Sequence, residues 1–118
     1  WTGRSKYLLL FEAPIDMLSF ISMHKKNWQQ HSYAAACSVS DRVLFQMLKD
    51  NPNISEVFLC MDSDEPGQTA AKRISDKLFT QGINAKILVP EHKDWNEDLL
   101  ALNQKESEVE EPCQVLQL

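Results

Sequence analysis

No apolar run in this 118-residue chain approaches the ~20 residues that a bilayer-spanning helix needs. The opening Trp1-Thr2-Gly3-Arg4 has no long apolar stretch behind it, so no signal peptide is expected. Nor does the chain begin with Met, which fits a piece cut from a longer protein. Cysteine is sparse: Cys37, Cys60 and Cys113 are widely spaced, too few and too scattered for a disulfide framework or a CxxC metal pattern. A reducing cytoplasm, with no membrane attachment, is the expected setting. A basic excess is also missing, since the formal net charge is -5. That argues against a general nucleic-acid-binding module. The charge is uneven, however. Residues 103–118 carry Glu106, Glu108, Glu110 and Glu111 against Lys105, a net of -3, which leaves -2 for residues 1–102.

Several signatures of chemistry are absent as well. There is no GxxxxGK(S/T) and no GxGxxG, so neither common phosphate-cradling glycine loop is present. No Ser/His/Asp signature is evident, and His24, His31 and His92 lack metal-ligand spacing; His92, beside Asp94, is the one placed to line a site. There is no internal repeat.

What remains is a regular alternation. Tyr7–Phe11, the weaker Ser32–Cys37, Glu56–Cys60 and Ala85–Val89 read as short strands. Between them lie helical patterns. The first covers about 15–26, opening near Pro14 with apolar Ile15, Leu18 and Ile21 at helical spacing. The second carries Val43, Leu44, Met47 and Leu48 behind Ser40 as N-cap. The third follows Gly67 with Ala70, Ala71, Ile74 and Leu78 and stops at Gly82. A short last helix holds Leu99–Leu102, capped by Asp94 or Asn96. The order βαβαβαβα with short connections predicts an α/β, Rossmann-like domain: a central, mostly parallel four-stranded sheet flanked by helices. Residues 1–102 form this domain, and 103–118 are expected to be an acidic, flexible tail.

The strand ends carry the chemistry. Val57–Met61 runs into Asp62-Ser63-Asp64-Glu65-Pro66-Gly67, the first strand ends at Glu12, and Asp94 follows the fourth. Parallel strands bring their carboxyl ends to one sheet edge, where open α/β sheets place their ligands. Acids distant in sequence therefore share a pocket. Asp62 and Asp64 suit Mg²⁺, which takes one or two carboxylates with waters and phosphate oxygens. The alternative is an acidic rim with no ligand. A calcium loop fails, because its fifth position is Pro66 and its twelfth is Arg73. An aspartyl phosphatase, with Asp62 as nucleophile and Asp64 as acid/base, has no further feature in its favour.

Three segments in order, Glu12-Ala13-Pro14-Ile15-Asp16, Asp62-x-Asp64-x-x-Gly67 and Lys93-Asp94-Trp95-Asn96-Glu97-Asp98, resemble the toprim domain shared by topoisomerases and primases. The likeness is closest to the primase-like branch of plasmid and conjugative-element proteins. It implies metal-dependent nucleotidyl transfer or phosphodiester chemistry on DNA or RNA, with nucleoside triphosphates and the other domains of a longer parent as partners. It assigns Glu12 the catalytic acid/base role. Asp62, Asp64 and Asp94 would hold Mg²⁺, with Mn²⁺ as substitute. Asp16, Gly67, Lys93 and Asp98 would support them. Two departures stand out: Ala13 replaces a frequent glycine, and Ala36–Ser40 has no glycine. Tyr7 and Tyr33 belong to strands and do not suit a topoisomerase nucleophile. A non-catalytic nucleic-acid or partner-binding toprim module and a toprim-type nuclease are the alternatives.

Overall fold

The computed structural model describes residues 1–36 and 42–110, and for 105–110 the backbone alone. In chain order it contains β1 (Tyr7–Phe11), α1 (Pro14–Met23), a 3₁₀ turn (Trp28–Gln30), β2 (Ser32–Ala35), α2 (Arg42–Asp50), β3 (Glu56–Cys60), α3 (Glu65–Thr80), β4 (Asn84–Ile87) and α4 (Trp95–Glu110). The sheet order is β2-β1-β3-β4, and every neighbouring pair is parallel. The expected α/β architecture is borne out.

Strand alternation divides the core into two layers. Leu8, Leu10, Val57 and Leu59 point to one face, where Leu44 and Leu48 of α2 and Ala71, Ile74 and Leu78 of α3 cover them. Leu9, Phe11, Tyr33 and Cys60 point to the other, where Trp95 of α4 and Met17, Phe20 and Ile21 of α1 pack. Both faces of β1 and β3 are covered by apolar side chains, which is why these strands read as unbroken apolar runs. Cys60 is fully buried and its thiol is free; burial pushes its pKa up, which makes it an inert core residue.

The chain leaves β1 toward β2 and returns across the sheet to place β3 on the other side of β1. The β1/β3 boundary is thus the switch point of the topology, where the connections diverge and open a crevice at the strands' carboxyl ends. Glu12 follows β1 and Asp62 follows β3. The crevice is where both acids lie.

Four expectations are corrected. Ile15 and Leu18, read as part of the buried stripe of α1, are each 58% exposed, and the helix buries Asp16 and Ser19 instead. The rotation follows from aromatic packing: Phe20 stacks on Phe11 and Trp95 at 5.4 and 5.1 Å, and the i−4 residue on that side is Asp16. The helix also stops at Met23, earlier than expected, before Asn27 takes a left-handed conformation. Second, α3 begins at Glu65 and not after Gly67, so Pro66 and Gly67 lie inside its first turn. Asp64 is the N-cap, and proline costs nothing there because its missing N–H has no intrahelical partner. Third, β4 covers Asn84–Ile87, and Val89, read as strand, is 52% exposed beyond it. Fourth, α4 runs on past Leu102 to Glu110. The Ser40 cap and Cys37 lie outside the described residues. Gly82 behaves as expected, with φ +74° just past α3 and its N–H donating to Phe79 O.

Candidate metal centre

The acidic edge is assembled from three chain segments. Glu12 and Asp16 come from the β1–α1 junction, Asp62 and Asp64 from the loop after β3, and Asp94 from the loop after β4. Carboxylate oxygens of Asp16, Asp62 and Asp94 all lie within 4.8 Å of one another. The Glu12 carboxyl lies close enough to Asp62 to raise its pKa.

Local structure explains each placement. Asp16 is in the first turn of α1, where an acid suits the helix dipole, and it is only 4% exposed. Its Oδ1 accepts the Asn96 N–H at 3.2 Å, which ties the start of α1 to the start of α4. Ser19 Oγ reinforces the tie by donating to Asn96 Oδ1 at 3.2 Å. Asp94 is the N-cap of α4, with Oδ1 accepting from Glu97 N–H at 2.8 Å. The β3 and β4 loops are stapled together: Ser63 N–H donates to Lys93 O, and Ser63 Oγ to His92 O, both at 2.8 Å. Trp95 Nε1 donates to Cys60 O at 2.9 Å, pinning the start of α4 to the end of β3.

Gly67 has a steric reason to be glycine. A Cβ there would sit 2.3 Å from Asp62 O, inside any tolerable contact. The close approach of α3 to the β3 loop holds Asp62 at the crevice. Gln68 Nε2 fixes the same carbonyl at 2.8 Å.

The electrostatics are those of a site short of positive charge. Asp62 is pushed up to about 7, first by burial, then by the nearby Glu12 carboxyl and by the charges of Asp94 and Asp64. Asp16 is raised by burial and by Asp94 and Asp62, against the lowering effect of its bond from Asn96. Asp62 Oδ1 is buried and has no hydrogen-bond partner among the described residues. A buried carboxylate oxygen without a donor is costly, and a cation is the natural remedy.

Of the residues singled out from sequence, Glu12, Asp62, Asp94 and Asp16 converge. Asp64 lies close enough to act on Asp62, but its Oδ1 is committed to Gly67 N–H at 2.9 Å as the cap of α3. Asp98 serves the loop: it accepts from Glu91 N–H, His92 N–H and the His92 ring at 3.0, 2.8 and 2.6 Å. Lys93 contributes its backbone, accepting from Ser63 and donating to Glu97 Oε2 at 3.2 Å. Sequence reasoning ranked Asp16 as supporting, whereas it stands in the central triad. The available signal was its spacing of four from Glu12. Ser63 gave no signal at all.

A family model described as Toprim-like matches residues 9–99. A search of curated proteins finds no significant match. Among solved structures, the chain is similar to the primase fragment of the bacteriophage T7 primase-helicase protein. The TM-score is 0.65 at 20% identity, over 90% of this chain and 43% of that one. It is also similar to a chain of the T7 lagging-strand DNA polymerase assembly with primase domains bound to an RNA/DNA hybrid and dTTP. There the TM-score is 0.61 at 22% identity, covering 90% and 53%. The chain spans about half the length of the solved chains it matches.

Proposed function

The chain belongs to the Toprim-like family, and from that premise we propose that it is the metal-dependent nucleotidyl-transfer module of a primase-like protein. The observation that carries the reading is the convergence of Asp16, Asp62 and Asp94 around a buried Asp62 oxygen that has no hydrogen-bond partner among the described residues. A hard, all-oxygen donor set fits Mg²⁺, with Mn²⁺ as substitute. Asp62 and Asp94 would hold the ion together with Asp16, with Asp64 adding negative charge beside them. When bound, such an ion orients phosphate oxygens and lowers the pKa of an attacking hydroxyl.

Glu12 is the candidate acid/base. Its closeness to Asp62 supports that role: from there it would take the proton of a 3′-hydroxyl or return one to a leaving oxygen. Lys93 offers an ammonium on the same loop as Asp94 for a substrate phosphate. Asp98 and Gly67 are positioning residues, one clamping the β4 loop and one admitting α3 against Asp62. DNA or RNA and nucleoside triphosphates are the partners this chemistry requires. The description of one structural neighbour as bound to an RNA/DNA hybrid and dTTP supports that choice. The EAPID, DxDxxG and KDWN segments support a place in the mobile-element branch, within a longer cytoplasmic parent.

The test is Glu12→Gln in the full-length parent. We expect Mg²⁺ affinity by calorimetry to stay within a fewfold while templated primer synthesis drops about 10²–10⁴-fold, the usual loss for a removed acid/base. Full activity would overturn the Glu12 role. Strand cleavage in place of synthesis would move the protein to the nuclease reading.

A further inference from the structure

A second feature lies on the same sheet face as Trp95 but toward the amino ends of the strands. Helices α1 and α4 cover Phe11 and Cys60, while Tyr7, Trp28 and Phe58 on the other half of this face stay only half-buried. The result is a hollow of about 350 Å³ walled by Tyr7, Leu9, Trp28, Tyr33, Phe58 and Leu88. That volume is near the lower end for small-ligand pockets, roughly 300–1,000 Å³. The walls are largely π-faces: Tyr7 and Phe58 lie 5.7 Å apart, and Trp28 and Tyr33 lie 6.1 Å apart.

The rim is cationic in a chain that is acidic overall. Lys6 Nζ sits 5.4 Å over the Tyr7 ring and Lys86 Nζ 6.0 Å over Phe58. Lys26 joins the mouth together with His24 and His31. His31 is held by Ser5 Oγ at 2.8 Å. Glu56, the acid of this edge, is already paired with Lys86 at 3.2 Å. An apolar protein segment seated here would desolvate Lys6 and Lys26 without supplying counter-charges, which is unfavourable. Flat π-surfaces ringed by lysines instead match a flat heterocycle attached to anions. They also differ from base-edge readers, because stacking tolerates any base.

We propose that this hollow is a stacking site for one unpaired base of a single-stranded nucleic acid, whose neighbouring phosphates are met by Lys6 and Lys26. It is separate from the acidic edge and requires no metal. The experiment is fluorescence anisotropy of the 118-residue chain with labelled oligothymidylate at low salt in EDTA, which silences the acidic site. An abasic oligomer of equal charge is the control. The expected result is saturable binding, weakened about tenfold by removing the bases or by Phe58→Leu, which keeps apolar volume and loses the π-face. Lys6→Glu/Lys26→Glu, on exposed side chains, should abolish binding and leave the circular dichroism spectrum unchanged. Equal binding of the abasic oligomer, insensitivity to both variants, or no binding in EDTA would each overturn the proposal. So would self-association of the chain through this face, seen in sedimentation and lost in Phe58→Leu.

Discussion

The two loops at the acidic edge follow one local recipe and end in opposite electrostatic states. After β3 the chain enters α3 through Asp64, which caps Gly67 N–H at 2.9 Å; after β4 it enters α4 through Asp94, which caps Glu97 N–H at 2.8 Å. Each segment has a further acid beside its cap. In the β3 loop Asp62 faces Glu12, Asp94 and Asp64, and its buried Oδ1 has no donor among the described residues. In the β4 segment Asp98 receives two backbone N–H groups and the His92 ring. Burial raises both carboxyls. For Asp62 the neighbouring acids add to the effect; for Asp98 the donors from His92 and Glu91 outweigh it and hold the group below the usual range. The carboxylate that holds the loop is surrounded by donors, whereas the one at the candidate metal centre is surrounded by other acids.

The comparison breaks most severely at Gly67. Gly67→Ala forces its Cβ against Asp62 O and should cost about 3 kcal/mol, read by urea unfolding, because backbone must move to relieve the overlap. Mg²⁺ affinity should fall with it. An unchanged midpoint would mean that α3 shifts freely and that Asp62 is not held by this contact. On the other loop, Asp98→Ala removes three partly exposed charge-assisted bonds and should cost about 1.5 kcal/mol. Amide exchange at His92 should accelerate in the same variant. Asp64→Ala, which loses one helix cap, should cost about 1 kcal/mol. Its effect on Mg²⁺ affinity should be smaller than that of Asp62→Asn, and the reverse order would make Asp64 the principal ligand.

The smallest signal is a slope. Asp62 has its pKa raised on folding, so the native chain keeps a proton that the unfolded chain has released. That contribution is whole below the ordinary value of 3.8 and is lost as pH rises through about 7. Asp98 has the opposite sign: its contribution is present above the ordinary range and lost as pH falls through its lowered value. In EDTA, Tm should therefore decline from weakly acidic to weakly alkaline pH. Asp62→Asn should flatten the decline, and saturating Mg²⁺ should reverse it by binding the native state alone. A flat wild-type profile in EDTA would contradict the crowding of acids around Asp62.

Much of this was legible in residue order because the cues are local. Apolar runs bounded by turn residues located β1 to the residue and β3 from its first residue, and their alternation with helical patterns implied the parallel sheet whose carboxyl edge gathers Glu12, Asp62 and Asp94. Gly82 announced its own left-handed turn. The misreadings came where two local solutions were equally good. Ile15 and Leu18 form an apolar stripe as regular as the one that is buried, and the choice between them was made by Phe20 docking on Phe11 and Trp95, residues on other elements.

The acids divide along the same line. Their identity, their order and their position at strand ends follow from the amino-acid sequence, since helix and strand periodicities need no distant partner. Which acid faces the crevice and which caps a helix does not follow from it. Asp64 and Asp94 have the same cap spacing, yet Asp94 joins Asp16 and Asp62 and Asp64 does not. The difference arises from contacts across the fold: the Ser63–Lys93 staple, the Asn96–Asp16 tie and the approach of Gly67 to Asp62. A pocket of like charges is a property of packing, because only packing can exclude the water that would otherwise screen them.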